Sequence, residues 1–472
     1  MEQLVRVCRS CGHFNPADGP SRCSNCFVYL TGVDAVSQDS VAQPRRRIPR
    51  FIRRRPVFLL TLTLVLGFIA WRIALLFDMD IILFPPAKAT TEINASIGSQ
   101  TWAQARRTLE NTGFTPDQAP HPEEIRWTFD TAKPLLAPPA VVEDRVYLST
   151  EDGRTVALDG RSGQVIWEYR TGLPSGSTPA VVGDLVIFVV RPGLISALDR
   201  ETGSLKWEVD IEAPIFSSPL VVDGTLYVGA GDGLLHALDS VTGKELWTFD
   251  TDDWIVNNVA YSDGGLLVTT QDSSIFLLDA KTGRKLLFFD TGYMRLRGGV
   301  VIRDDQAYFP SDRGWLWSIN RDARSRPGDR AILRIKLNLY VWQVLKNSPI
   351  QRGGLWSHRL GGDLPFTPAL AHDTLYLANT EGLVFARDAD TGNGLWTSDL
   401  GAEVSTSPIV AGQTVLLGAK DGRVFGLDAQ TGAIQWSFRT GGDELSGSPV
   451  VVGNTIYVTS RNGTLYAIGG SE

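Results

Sequence analysis

All four cysteines of the 472-residue chain fall within its first 26 residues, in two pairs: Cys8 with Cys11, and Cys23 with Cys26. Two residues intervene within each pair, so both thiols of a pair leave one tight turn and can face one ion. Eleven residues separate the pairs, and together they supply four sulfurs, the ligand set of a tetrahedral zinc site. Four thiolates leave no coordination position open, so the chemistry expected is structural. Metal binding would supply folding energy that so short a segment cannot draw from an apolar core. His13 is then expected on the surface, since sulfur already completes the shell. Two disulfides are the competing reading of the same spacing, and the compartment decides between them.

The following segments address the compartment. Residues 45–55 hold seven Arg, and residues 1–55 hold ten Arg against four acidic residues in a chain of net charge −7. An apolar run follows at once; its twenty-one residues from Val57 to Phe77 reach across a hydrocarbon core of about 30 Å at helical rise. Arg72, near the outer end, can snorkel to the headgroups. A signal peptide is disfavoured because 55 residues precede the run. The cationic flank predicts a single-pass protein of the cell membrane with a cytoplasmic N-terminus and everything beyond about residue 84 extracytoplasmic. The thiols then sit in a reducing compartment, which favours zinc. Residues 4–30 resemble a bacterial zinc ribbon, and the expected division is ribbon 1–30, basic linker 31–55, transmembrane helix with outer flank 56–84, and a tether at 85–124 with a short helical candidate at 101–111.

A basic head on an acidic body excludes a nucleic-acid footprint, which needs a basic folded domain. The 13 Trp and 47 Gly suit many short strands and tight turns. From residue 125 the chain repeats itself. The position held by Ala237 recurs at Ala157, Ala197, Leu277, Ser318, Ala386, Gly426 and Ala467, at spacings of 40 or 41 except for one of 68. Ten residues after Ala237 stands Trp247, with counterparts Trp127, Trp167, Trp207, Trp356, Trp396 and Trp436, and Leu287 in the remaining slot. Alternating apolar runs joined by Asp-Gly and Thr-Gly turns predict a four-stranded antiparallel meander per repeat. The two series are offset: Trp127 has no Ala-Leu-Asp before it, and Ala467 has no Trp after it. The expectation is an all-β, eight-bladed β-propeller over 125–472, closed by the N-terminal strand around Trp127, which removes the exposed sheet edges. The periodic Trp residues are expected to pack between blades rather than stack on ligands, and the Asp-Gly and Thr-Gly pairs to be hairpin turns rather than phosphate or calcium loops.

The pattern A-L-D-x-x-T-G-x-x-x-W resembles the tryptophan-docking repeat of pyrroloquinoline-quinone-type propellers, a group that spans BamB-like scaffolds of outer-membrane assembly and quinoprotein alcohol dehydrogenases. The resemblance implies the fold and leaves function open between cofactor-binding enzymes and cofactor-free scaffolds. Such enzymes carry a vicinal disulfide against the quinone and long loops that build a lid; this repeat region has no Cys and short connections. Its turn acids Asp152, Asp232 and Asp421 are repeat positions, Asp363 and Glu403 do not stand out as catalytic, and only five His occur in the whole chain. The reading is therefore a membrane-anchored interaction scaffold with protein partners, structural zinc as its one cofactor, and no catalytic or quinone-binding residue assigned. A ligand-sensing ectodomain coupled to the cytoplasmic ribbon and a quinone-dependent oxidoreductase are the alternatives.

The single interruption of the repeat is an insertion at 321–352, which holds eight Lys or Arg against Asp322 and Asp329. Its apolar stretch, 331–345, is too polar to span a bilayer and unusually apolar for a loop. Either it rests on a membrane or membrane partner, or it packs on the propeller's own rim.

Overall fold

The computed structural model describes residues 4–8, 13–19, 21–25, 29–37, 63, 65–68, 101–292, 294–346 and 349–470. They divide into two compact units, 1–73 and 74–472. In the first, strands Leu4–Val7, Phe14–Pro16 and Val36–Ser37 form a small antiparallel sheet with Leu4–Val7 in the middle.

Among the described residues the second unit is all-β apart from one helix, and its repeats are propeller-like. Eight sheets, each with four antiparallel strands of the repeat, follow one another along the chain. The third is representative: Leu220–Val222, Thr225–Gly229, Leu234–Asp239 and Glu245–Asp250, in sequence order. Its fourth strand turns alternate side chains to solvent, while its second and third are buried almost throughout. The eighth sheet draws three strands from the C-terminus and its fourth, Glu124–Asp130, from the start of the repeat region.

One cross-strand pair recurs in all eight sheets: Ala157 with Trp167, Ala197 with Trp207, Ala237 with Trp247, Leu277 with Leu287, Ser318 with Trp356, Ala386 with Trp396, Gly426 with Trp436, and Ala467 with Trp127. A bulge sits beside each pair and increases the local twist. Small residues face Trp; where the ring shrinks to Leu287, its partner grows to Leu277.

The Trp residues join neighbouring sheets, as the repeat implied. The indole N–H of Trp207 donates to the Ser240 carbonyl of the next sheet at 3.1 Å, and Trp127, Trp167 and Trp396 make the same bond to Gly160, Arg200 and Ala429. The Trp207 ring lies against Gly243, whose φ of +72° and lack of Cβ let the turn approach that closely. The turn itself is closed by Asp239, whose carboxylate accepts from the Thr242 N–H at 2.8 Å and the Thr242 hydroxyl at 2.7 Å. The same bonds recur at Asp159, Asp199, Asp388 and Asp428. They hold those carboxyls below the ordinary range; Asp199, which Lys206 also contacts, falls from 3.8 to about 2. The Asp-Gly and Thr-Gly pairs are turn chemistry. Buried apolar clusters join each sheet to the next, and one cluster brings residues of the eighth sheet (Ile456, Ile468) together with residues of the first (Val146, Leu158).

The segment expected as a tether is different in kind from 101 onward. Thr101–Trp102 pairs with Ala140–Val142 of the first sheet, and Phe114–Thr115 pairs in parallel with Ile409–Ala411 of the seventh. Between them the chain is not helical but a series of turns and bends with left-handed backbone at Arg106, Arg107, Asn111 and Gly113. A helix would consume its own carbonyls; here they accept N–H groups from the short first strands of the sheets and their flanks. Ala103 receives Val181, Leu109 receives Tyr261, Glu110 receives Ile302, Thr112 receives Leu370 and Gly113 receives Val410, at 2.8 to 3.0 Å. Those N–H groups belong to the second, fourth, fifth, sixth and seventh sheets. Leu109 also packs with Leu220 and Val222 of the third sheet. Residues 101–115 therefore form a hub that satisfies inward-facing backbone donors which would otherwise need water.

Candidate metal centre and interaction surfaces

In the N-terminal unit, Cys8 directly follows the central strand, and its N–H donates to the His13 carbonyl at 2.9 Å. Cys8 and Cys23 are both buried and share a cluster with Leu30. Two donors point at the Cys23 sulfur: the side-chain amide of Asn15 at 3.6 Å and the backbone N–H of Asn25 at 3.5 Å. Asn15 is itself held by its carbonyl oxygen, which accepts from the N–H and the hydroxyl of Ser24. Donors aimed at sulfur favour thiolate over thiol, as a metal ligand requires. Cys11 and Cys26 lie outside the described residues. Among the described residues no group of three or more His, Cys, Asp or Glu could hold a metal. His13 is exposed.

The expected span at 56–84 lies outside the described residues except for Thr63 and 65–68, which are helical. Among the described residues no helix is long and apolar enough to cross a membrane.

The insertion is rooted on a neighbour. The Phe288 N–H donates to the Ser325 hydroxyl, the Ser325 N–H donates to the Leu286 carbonyl, and Gln351 bonds both the Phe288 carbonyl and the Asp290 N–H. These groups belong to Lys285–Asp290, the outer strand of the fourth sheet, which is largely buried where the third sheet's outer strand is not. Here the sequence carries Leu287 in place of Trp. Between the roots stands helix α1, Asp329–Val341. The Asp329 carboxylate accepts from the Arg326 N–H and from Arg352, each at 2.7 Å, and the Arg330 guanidinium lies 3.6 Å over the Phe288 ring. No residue of α1 is buried. Packing on the propeller's own rim holds for the insertion's roots and for Arg330 at the start of its helix.

The hub carries the most unusual charge. Arg106 is buried, and its two terminal nitrogens donate to the carbonyls of Pro368 and Pro408 at 2.6 and 2.7 Å, tying the approaches to the sixth and seventh sheets. Loss of hydration lowers its guanidinium to about 9. Arg107 closes the segment on itself, donating to the Thr101 and Phe114 carbonyls. Neither was identified from sequence; Asn111 and Gly113, residues tolerant of left-handed backbone, were the only available hint.

Three histidines of the repeat domain have a polar partner, whereas one carboxylate oxygen of Asp363 is buried with no hydrogen-bond partner among the described residues. His358 and His372 are within 3.1 Å of the backbone carbonyls of Thr391 and Gly412, and His236 lies 3.2 Å from Glu245. Asp363 is raised by burial, with Arg297 3.9 Å away. Glu403 is paired with Lys420 at the surface.

The profile of one protein family matches residues 119–214, 191–326 and 340–471, most of the chain. This chain belongs to the family described as outer membrane protein assembly factor BamB. No curated protein matches the sequence. Among solved structures, BamB from Moraxella catarrhalis is similar at 19% identity and a TM-score of 0.59, covering 74% of this chain and 98% of its own. The quinohemoprotein alcohol dehydrogenase ADHIIG from Pseudomonas putida HK5 is similar at 17% identity and a TM-score of 0.62, covering 82% and 84%. A computationally designed protein, Ika8, matches at 15% identity and a TM-score of 0.60, covering 75% and 100%. An assembly factor, an enzyme and a design share this architecture, so these likenesses establish fold alone.

Proposed function

We propose that the protein is a membrane-anchored interaction scaffold of the BamB family. In this reading its eight sheets close into an eight-bladed ring through the strand around Trp127. The ring stands outside the cytoplasm on a single span at 56–84, and a structural zinc ribbon stands within the cytoplasm. The observation that carries the scaffold reading is the hub. Residues 101–115 of the chain itself take up backbone N–H groups of the second, fourth, fifth, sixth and seventh sheets, which supports a centre filled by the protein's own backbone over one arranged around a planar cofactor. What the domain offers a partner is then its rims and outer strands. The absence of Cys from 27–472 supports the same reading.

Zinc would be held by Cys8, Cys11, Cys23 and Cys26, with Asn15 and the Asn25 N–H orienting the Cys23 sulfur. The ion would cross-link the two turns and supply folding energy, without taking part in a reaction.

The test is sided photocrosslinking in intact cells, with the crosslinking residue placed at exposed Leu246 or Leu395 on outer strands. The expected result is a discrete adduct with an extracytoplasmic protein that, once purified, binds the full chain saturably. Adducts confined to cytoplasmic proteins would overturn both the topology and the scaffold role.

A further inference from the structure

The insertion leaves the propeller at a defined end of the sheets. Asn320 and Gly354 flank it, and the Arg321 N–H donates to the Asp305 carbonyl, which marks the end bearing the turn between first and second strands. Neighbouring sheets meet at corresponding ends: Arg145 donates to the Arg200 carbonyl, Arg303 pairs with Asp373, and Arg321 pairs with Asp263. The described chain of this domain also begins at that end, because Thr101 is paired with Val142, beside the first such turn. The first described residues of this domain and the roots of the insertion therefore lie at the same end of the sheets.

The surface of α1 and the turn after it combines two properties. Val341 and Trp342 are 72% and 71% exposed, and Ile332, Ile335, Tyr340 and Val344 are exposed as well. Arg334, Lys336 and Lys346 are exposed among them. At helical spacing Ile332 and Ile335 lie on one side and Leu337 and Val341 on another. Arg334, Lys336 and Lys346 can pair with lipid phosphates while exposed apolar side chains beside them reach the acyl boundary. Tyr340 and Trp342 are the ring types that settle at that depth. The helix ends in a left-handed Gln343, with the Val344 N–H donating to the Leu339 carbonyl at 2.8 Å, which turns Trp342 and Val344 out beyond the last turn.

We propose that residues 329–346 are an interfacial docking element that lies on an anionic lipid surface and fixes the tilt of the propeller against the membrane. The occupant is lipid, and the inference rests on the membrane-anchored reading for its proximity to a bilayer. The roots at Ser325 and Gln351 hold the element to the fourth sheet, so docking would orient the domain and not merely tether it.

The experiment is hydrogen–deuterium exchange on the full chain in nanodiscs of phosphatidylcholine alone and with phosphatidylglycerol added. Amides of 330–346 are expected to exchange about tenfold more slowly in the anionic discs. Replacing Arg334, Lys336 and Lys346 by Gln, at about fivefold per cation, should abolish the difference. These side chains are exposed, and unchanged protection of Thr225–Gly229 verifies that the fold is retained. Equal exchange in the two lipids overturns the proposal, as does protection that depends on protein concentration rather than lipid, which would assign the surface to a second copy. Anchoring is read separately, from retention of the chain in bilayers after an alkaline wash. Retention without lipid-dependent protection defeats this inference and leaves the anchor standing.

Discussion

Replacing Trp102 by Ala tests whether residues 101–115 are structural. Trp102 is 1% exposed, pairs with Val141, and belongs to the buried cluster that also holds Ile409, Ala411 and Val450, a core shared by the first, seventh and eighth sheets. Truncating a buried Trp to Ala costs about 3–5 kcal/mol in lost transfer and cavity formation. One term opposes this: its indole N–H is buried with no hydrogen-bond partner among the described residues, a desolvation penalty of about 1–3 kcal/mol that the variant removes. Taking the middle of each range, the net expectation is a destabilisation of about 2 kcal/mol. Trp102→Phe, which removes the orphaned N–H and keeps most of the apolar area, should lose less than half as much. Urea unfolding of the full chain, followed by far-ultraviolet circular dichroism, measures both. Trp342→Ala at the exposed end of the insertion serves as the control and should fall within about 0.5 kcal/mol of wild type. If Trp102→Ala is as silent as Trp342→Ala, the segment is a tether after all and the hub has no role in stability.

Gly243→Ala should destabilise by more than about 1 kcal/mol, because φ is +72° and the new Cβ would meet Trp207 at 2.6 Å; wild-type stability in the same urea assay would refute the docking geometry. The lowered turn carboxylates predict acid sensitivity: a group depressed in the folded state stabilises above its unfolded value and loses that contribution as pH falls through the folded one, so for Asp199 the loss runs from 3.8 down to about 2. Asp199→Asn should flatten the melting profile across that window, and an unchanged profile would contradict it. Removing zinc with a chelator should unfold the N-terminal unit and leave the propeller's melting transition in place, and Cys23→Ser should lower zinc content to the same end; a metal content of zero in the reduced wild-type chain would refute the site.

The repeat was legible because its signals are local. The Asp, Thr and Gly of each hairpin close a turn with their own neighbours, and a small residue faces a Trp ten positions later in an unbroken strand pair. The offset between the Ala and Trp series carried long-range information too, since the Ala467 and Trp127 pair is formed. The hub was not legible, because its bonds run from backbone carbonyls to N–H groups of strands far along the chain and leave no side-chain pattern. Its left-handed residues include two Arg, which no propensity would place there. The helical reading of 101–111 failed for this reason. In the insertion, the apolar strand Lys285–Asp290 was the readable sign that something covers it, and Leu287 in the Trp slot marked the same place.

The scaffold account stands or falls on whether the centre of the propeller can take a cofactor. Purified full chain titrated with pyrroloquinoline quinone and Ca²⁺, followed by the quinone's absorbance and by reduction of an artificial acceptor in the presence of a primary alcohol, addresses this directly. The account predicts no spectral shift and no turnover at any ratio of quinone to protein. A saturable shift at one quinone per chain, with alcohol-dependent dye reduction, would contradict it.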